Sequence, residues 1–272
     1  MTASYLSAWG LSGLPFDKDL DDKDLWLPPS KATLVDAVLE ALLARQCVLL
    51  TGEPGTGKTC LTRAVRHRTS QAALRLTYCQ NATLGRRDFY RHLCLALGLP
   101  PSASAAGLFY SISSHVKDLD KESLHPVFVL DEAHLLHQDT LDHLHILLNY
   151  EWDQKPLLSL LLMGLPDLQD RLSLRRNRSL LSRIHTRLTI GPLLPEDTAA
   201  YVRMRLLRCG CDRELFTSDA LAFLHEASQG QMRDIDRLAT GALRLAARSK
   251  RRLVERDHVL RAVQTNDSSE AA

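Results

Sequence analysis

The sequence contains no C-x-x-C pair, and its six cysteines, at 47, 60, 79, 94, 209 and 211, are scattered. That argues against a structural zinc site and against a disulfide framework, and it fits a reducing cytoplasm. The one close pair, Cys209 and Cys211, reads as two thiols at a helix end. The N-terminus lacks the basic, apolar, small-residue order of a signal peptide. The longest apolar run, 157–165, is interrupted by Ser159 and Gly164 and bounded by Pro156 and Pro166. It falls short of the roughly 20 residues a membrane-spanning helix needs, so it reads as a strand and no membrane partner is expected. His134, His137, His143 and His145 lie close together but match no H-E-x-x-H spacing, and His143 and His145 read as helix-surface residues. No internal repeat, low-complexity segment, helix-turn-helix or zinc-finger signature is present. The net charge is only +2 over 272 residues, so the local distribution of charge matters more than its sum. What remains, 45% hydrophobic and 24% charged residues, is ordinary globular composition.

The most informative stretch is 51–60, T-G-E-P-G-T-G-K-T-C. An apolar segment, Cys47-Val48-Leu49-Leu50, precedes it and reads as a buried strand. Leu61 to Arg66 follows and reads as a helix. Strand, glycine-rich loop and helix form the setting of a phosphate-binding loop. Glycines at 52, 55 and 57 let the chain curl so that its N–H groups form a nest for phosphate oxygens. Glu53, Pro54, Thr56 and Cys60 complete the loop and its exit. The helix starting near Lys58 adds unpaired donors and a positive dipole end. Lys58 is placed to reach β- and γ-phosphates, and Thr59 to offer a hydroxyl to Mg²⁺.

In chain order, 1–30 reads as an extended lead-in with apolar anchors at Tyr5, Trp9, Leu14 and Phe16. Residues 17–24 alternate acids and lysines as a solvated loop. Trp9 and Phe16 either cover a nucleotide base or are buried against the core. A helix is expected over 31–45, strands over 74–78 and 157–163, and helices over 86–97, 108–119 and 138–150.

Val127-Phe128-Val129-Leu130 runs into Asp131-Glu132-Ala133-His134. A buried strand ending in two carboxylates needs a partner for their charge, and a metal–nucleotide complex supplies one. Asp131 would hold Mg²⁺, and Glu132 would orient and polarise the attacking water. Asn149, near the end of the 138–150 helix, reads equally as a polar reader of the γ-phosphate or as a helix-terminal asparagine.

Arginines at 171, 175, 176, 178, 183 and 187 occur with no acid between 171 and 187. Such a run is usually a solvated face, and its lack of compensation also admits a phosphate-facing or subunit-facing surface. A short edge strand is expected at 188–190, then a boundary at Gly191-Pro192. Helices follow over 196–209, 218–228 (with Ser218 as cap), 232–248 and 255–263, and then a frayed end over 264–272.

Five strands alternating with helices, then four helices, resemble an AAA+ ATPase. Residues 52–59 match its Walker A loop and 130–134 its Walker B strand end. Ser182-Arg183-Ile184 looks like the arginine-finger motif, and Gly230-x-x-Arg233 looks like sensor 2. The resemblance implies an α/β fold: a RecA-like three-layer P-loop core with a five-stranded parallel sheet, followed by an all-helical lid. It divides the chain into a lead-in (1–30), an ATPase core (31–192), a lid (193–264) and a disordered tail (265–272). It implies ATP and Mg²⁺ held between core and lid, Arg233 touching the γ-phosphate in cis and Arg183 reaching a neighbour's nucleotide in trans. Hydrolysis should then be slow and oligomer-dependent.

The lead-in and the D-E-A-H ending resemble the ExeA-like branch. That branch includes general secretion ATPases and transposition regulators of the TniB, TnsC and MuB type. One departure stands out: the strand that usually delivers a polar sensor 1 residue ends here in Gly164-Leu165-Pro166, where that branch tends to read G-Q-P. Two functions are implied. In the first, the chain assembles as a homo-oligomeric ring or helical filament on double-stranded DNA, without sequence preference, and recruits a transposase. Arg86, Arg87, Lys117, Arg175, Arg176 and Arg178 are then the candidate phosphate contacts, and Arg244, Arg248, Lys250, Arg251 and Arg252 form a second basic surface. In the second, it is a cytoplasmic assembly ATPase for a secretion-type protein complex, with no DNA.

Overall fold

The computed structural model describes residues 3–22, 25–69, 74–79, 83–102 and 104–270. Lys23 and Asp24 of the expected acid–lysine loop and the last two residues of the expected tail lie outside them. The elements in chain order are α1 (Ala3–Trp9), α2 (Pro29–Leu43), β1 (Cys47–Thr51), α3 (Lys58–Thr69), β2 (Leu74–Cys79), α4 (Arg86–Ala96), α5 (Ala105–Lys121), β3 (His125–Leu130), α6 (Gln138–Leu147), β4 (Ser159–Gly164), α7 (Asp167–Ser173), α8 (Arg178–Leu181), β5 (Ile184–Thr189), α9 (Pro195–Arg208), α10 (Ser218–Ser228), α11 (Met232–Arg248) and α12 (Arg256–Glu270). Two compact units contain them. One is Pro29–Glu53 with Lys58–Ile190, and the other is Met1–Pro28, Pro54–Gly57 and Gly191–Ala272.

The first unit is built on one five-stranded sheet in the order β2-β3-β4-β1-β5, with every pairing parallel. The three inner strands are buried along their whole length. They are continuous apolar runs because helices cover both faces of a parallel sheet. The two edge strands alternate between exposed and more covered positions instead. Phe89, Leu93, Phe128, Leu130, Leu160 and Leu162 belong to one core cluster, each such side chain contributing about 2 kcal/mol by leaving water. The register sets Thr51 beside Gly164 and Leu130 beside Leu162. The ends of β1, β4 and β3 therefore form one rim, the edge at which open α/β sheets bind ligands.

The second unit is helical. Along α11, Met232, Ile235, Leu238, Ala239, Ala242, Leu243 and Ala246 are buried, a spacing that gives the helix one apolar face. Trp9 is 3% exposed, and its indole Nε1 donates to the Leu243 carbonyl at 3.1 Å. Of the two readings of Trp9, burial is the one observed. Arg205 lies buried, with Nε donating to the Pro15 carbonyl at 2.6 Å and Nη2 to that of Asp17. The lead-in is thus not extended throughout: Ala3–Trp9 is helical, and the chain after it is fastened by Arg205 and by Ser12 N–H to the Cys209 carbonyl, 2.9 Å.

Several boundaries differ from expectation. Thr217, not Ser218, caps α10, accepting from the Ala220 N–H at 3.2 Å. The last helix continues to Glu270, seven residues past Val263. The edge strand β5 begins at Ile184 because its pairing with β1 starts there, and α6 stops at Leu147. Among the described residues, no helix is long and apolar enough to cross a membrane.

Candidate active site

The phosphate loop leaves β1 at Thr51 and enters α3 at Lys58. Gly55 and Gly57 adopt φ of +83° and +97°, a region costly for side-chain-bearing residues. The Lys58 Nζ donates to the carbonyls of Gly52 at 2.6 Å and Glu53 at 3.1 Å, which holds the ammonium inside the curl. Gly52 N–H donates to the Gly164 carbonyl at 3.1 Å, fixing the loop's first residue to the end of β4. Thr56 is buried, whereas Thr59 is exposed in the first turn of α3 with Cys60 half-buried beside it.

Gly230 and Arg233 belong to the same unit as the loop tip 54–57. Met232 N–H donates to the Gly55 carbonyl at 3.0 Å. A Cβ at Gly55 would lie 3.3 Å from the Arg233 Cβ. With its amide nitrogen turned to face them, Gln231 donates to the Pro54 carbonyl and to Asp234 Oδ2, each at 3.1 Å. The G-x-x-R motif and the loop tip are in direct contact.

Asp131 follows β3 and is 9% exposed. Its Oδ1 accepts from the Glu132 N–H at 2.9 Å and its Oδ2 from the Tyr78 hydroxyl. Burial, and then the Asp131 carboxylate, push the Tyr78 hydroxyl well above its ordinary range, so it remains a donor. Glu132 has a left-handed backbone, φ +51°, and a half-exposed carboxylate. The turn behind it, residues 133–135, is held by Arg171, whose Nη1 donates to the His134 carbonyl at 2.7 Å and whose Nη2 donates to that of Leu136. Thr59 and Asp131 offer hard oxygen atoms, the donor type magnesium takes alongside phosphate and water. The donor set fits Mg²⁺.

Arg183 and Asn149 belong to the other end of the sheet. Arg183 sits just before β5, 24% exposed, and pairs with Asp153. Around it is a cavity of about 510 Å³, also lined by Arg45, Cys47, His145, Lys155 and His185. Asp153 closes a turn in which Glu151, Trp152 and Asp153 all have positive φ, and Trp152 is 95% exposed. Leu148 lines the same cavity, and Asn149 follows it, exposed. Because α6 runs back along the sheet from the carboxylate rim, Asn149 ends up at the strand starts. One strand length, about 16 Å for five residues, separates the two ends, and of the two readings of Asn149 this placement suits the helix-terminal asparagine.

Part of the arginine run is engaged in space by groups distant in sequence. Arg176 pairs with Asp142 at 2.9 Å, Arg183 with Asp153, and Arg171 with two carbonyls. Of the other proposed phosphate contacts, Arg86 bonds His143 Nε2, while Arg87, Lys117, Arg175 and Arg178 are exposed. Sequence reading did not single out Tyr78 or Asp153, and it named His134 and Arg171 without the contacts they make. For Tyr78 the one available signal was its place at the end of a strand parallel to β3. The others are contacts across loops that carry no spacing signature.

A family profile described as AAA domain matches residues 41–172, from α2 through the phosphate loop and D-E-A-H turn to α7. Over 266 residues the chain is 34% identical to General secretion pathway protein A of Aeromonas hydrophila, covering 96% of this chain and 48% of that protein. The chain belongs to the AAA+ ATPases, in their ExeA-like branch. It spans about half the length of that curated relative. Among solved structures, this AAA+ chain superposes on Cdc6p from Pyrobaculum aerophilum with a TM-score of 0.68 at 17% identity, over 88% of this chain and 67% of that one. Against the Aeropyrum pernix ORC1 protein in complex with DNA, the TM-score is 0.65 at 19% identity, over 91% and 67%. These likenesses establish the fold: a RecA-like α/β core with C-terminal helices.

Proposed function

We propose that this AAA+ chain is an ATP-hydrolysing assembly ATPase, working on the cytoplasmic side as part of a secretion-type protein complex. The observation that carries the reading is the 34% identity to General secretion pathway protein A along 96% of this chain. That comparison favours it over a DNA-bound transposition regulator. Of the candidate DNA contacts in the basic stretch, Arg176 is paired within the chain with Asp142, while Arg175 and Arg178 are exposed.

In this reading, the loop N–H groups and Lys58 bind the phosphates. Thr59 and Asp131 would hold Mg²⁺, which would supply neutralisation of charge on the phosphate oxygens. Glu132 orients the attacking water and accepts its proton. Arg233, carried to the loop tip by the Met232–Gly55 bond, contacts the γ-phosphate. Arg183 completes the site of a neighbouring copy in a head-to-tail ring or filament, a contact worth roughly 10³–10⁵ in rate.

The test is a pair of measurements on the full chain. Phosphate release is followed for wild type and Glu132→Gln, and binding to double-stranded DNA is followed by anisotropy across a salt series with ATP, a non-hydrolysable analogue and ADP. The reading expects hydrolysis that Glu132→Gln abolishes while ATP binding persists, and no nucleotide-dependent DNA binding. Triphosphate-dependent, salt-sensitive DNA binding would return the transposition-regulator reading.

A further inference from the structure

We propose that His134 is a positioning residue for Glu132, taking the place at the end of β4 where the strand offers no polar side chain. The inference rests on the reading of Glu132 as the residue that orients water.

At this corner, Gly164 has no side chain, Leu165 is apolar and Pro166 has no N–H. The polar side chain there comes from the neighbouring turn. His134 Nδ1 accepts from the Leu165 N–H at 3.4 Å and stands 3.5 Å from Glu132 Oε2. A Cβ at position 164 would come within 3.2 Å of both His134 Nδ1 and its backbone nitrogen, and within 3.0 Å of Leu168. The bare glycine and the seated imidazole are two sides of one fit. The His134 side chain is 14% exposed and that of Glu132 is 50% exposed, so the ring is the enclosed member of the pair and the carboxylate the solvent-facing one. Arg171 fixes the His134 carbonyl from behind.

One nitrogen with two neighbours has two neutral arrangements. With the proton on Nε2, Nδ1 accepts from Leu165, as in the structure. With the proton on Nδ1, the ring donates a charge-assisted bond to the Glu132 carboxylate. Gly164 also accepts from Gly52 of the phosphate loop at 3.1 Å. The end of β4 therefore touches the loop on one side and the imidazole on the other, and filling of the loop can bias which arrangement His134 takes.

The experiment compares His134→Leu, His134→Asn and Glu132→Gln in the full chain. It measures steady-state ATP turnover and the dissociation constant of a fluorescent ATP analogue. An asparagine amide can donate where Nδ1 does, and leucine cannot. The expected result is a kcat loss of about 10–100-fold for His134→Leu with the dissociation constant nearly unchanged, and recovery of most of that loss in His134→Asn. Wild-type kcat in His134→Leu, equal loss in both His134 variants, or nucleotide affinity falling in step with kcat overturns the proposal. Should the leucine variant not fold, His134→Phe retains the ring volume without its nitrogens and carries the same comparison. A Glu132→Gln protein that still turns over removes the reading of Glu132 and this proposal with it. If Glu132→Gln is inactive and His134→Leu is normal, only this proposal fails.

Discussion

The backbone N–H of Met232 donates to the carbonyl of Gly55 at 3.0 Å, which ties the first turn of α11 to the tip of the phosphate loop. Arg233 is next in sequence, so the bond holds the backbone of that arginine beside the loop tip 54–57.

Gly230 makes the approach possible. It has φ +69°, and a Cβ there would lie 2.3 Å from the Leu193 carbonyl oxygen, a contact only a backbone shift can relieve. Gly230→Ala should cost about 3 kcal/mol of stability, read from the urea midpoint. Its nucleotide affinity should fall as well, because the shift moves Met232 off Gly55.

Tyr78→Phe removes the hydroxyl that donates to Asp131 and leaves the ring. Loss of a group that orients a metal-binding carboxylate typically weakens metal affinity by about tenfold or more. The Mg²⁺ concentration for half-maximal ATPase activity should rise by about that factor, with little change in the melting temperature, since Tyr78 is 43% exposed.

The Arg183–Asp153 ion pair occupies the arginine within its own chain, and the proposed role of Arg183 in a neighbour's site requires its release. Wild-type activity per molecule should climb with protein concentration. Arg183→Ala should lose the climb and roughly 10³-fold in turnover, whereas Asp153→Ala should reach half-maximal activity at lower concentration. Turnover measured across a dilution series checks all three.

Buried His125 and half-buried Asp236 give opposing pH dependence. Burial lowers His125 from 6.5 to about 4. The unfolded chain therefore binds the extra proton first, and the contribution of neutral His125 is full above pH 6.5 and is lost as pH falls toward 4. Burial raises Asp236 from 3.8 to about 6, against its bond from Tyr201, so its contribution is full below pH 3.8 and is lost as pH rises through 6. Between pH 5 and 7 the two nearly cancel. In His125→Gln, stability should fall by about 1 kcal/mol over that interval, and in Asp236→Asn it should rise by about 2 kcal/mol. Urea titrations at the two pH values decide it.

The legible parts of the chain were those with a period or a fixed spacing. The apolar runs of β1, β3 and β4 stand out because both their faces are buried, and the G-x-x-x-x-G-K-T loop because its spacing is set by backbone geometry. The arginine run read as uncompensated because charge balance is spatial. Asp142 and Asp153 are 34 and 30 residues from their partners Arg176 and Arg183, and nothing in a linear reading joins them. The lead-in read as extended because seven residues of α1 are too few for a helical period to show. The two readings of Asn149 stayed open in the sequence because the direction of α6 along the sheet follows from topology rather than from the helix's own residues.

The strand that carries the phosphate loop has no partner near it in sequence. Val48 pairs with Leu161 and Thr186, more than a hundred residues downstream. During synthesis, β1 waits for β4 and β5 to emerge, and until then the loop has no fixed mouth. Nucleotide therefore cannot seed folding; it can only capture a nearly complete sheet. A chain stalled on the ribosome before residue 159 should expose Val48, Leu49 and Leu50 to chaperones, and parallel pairings of such long reach close slowly.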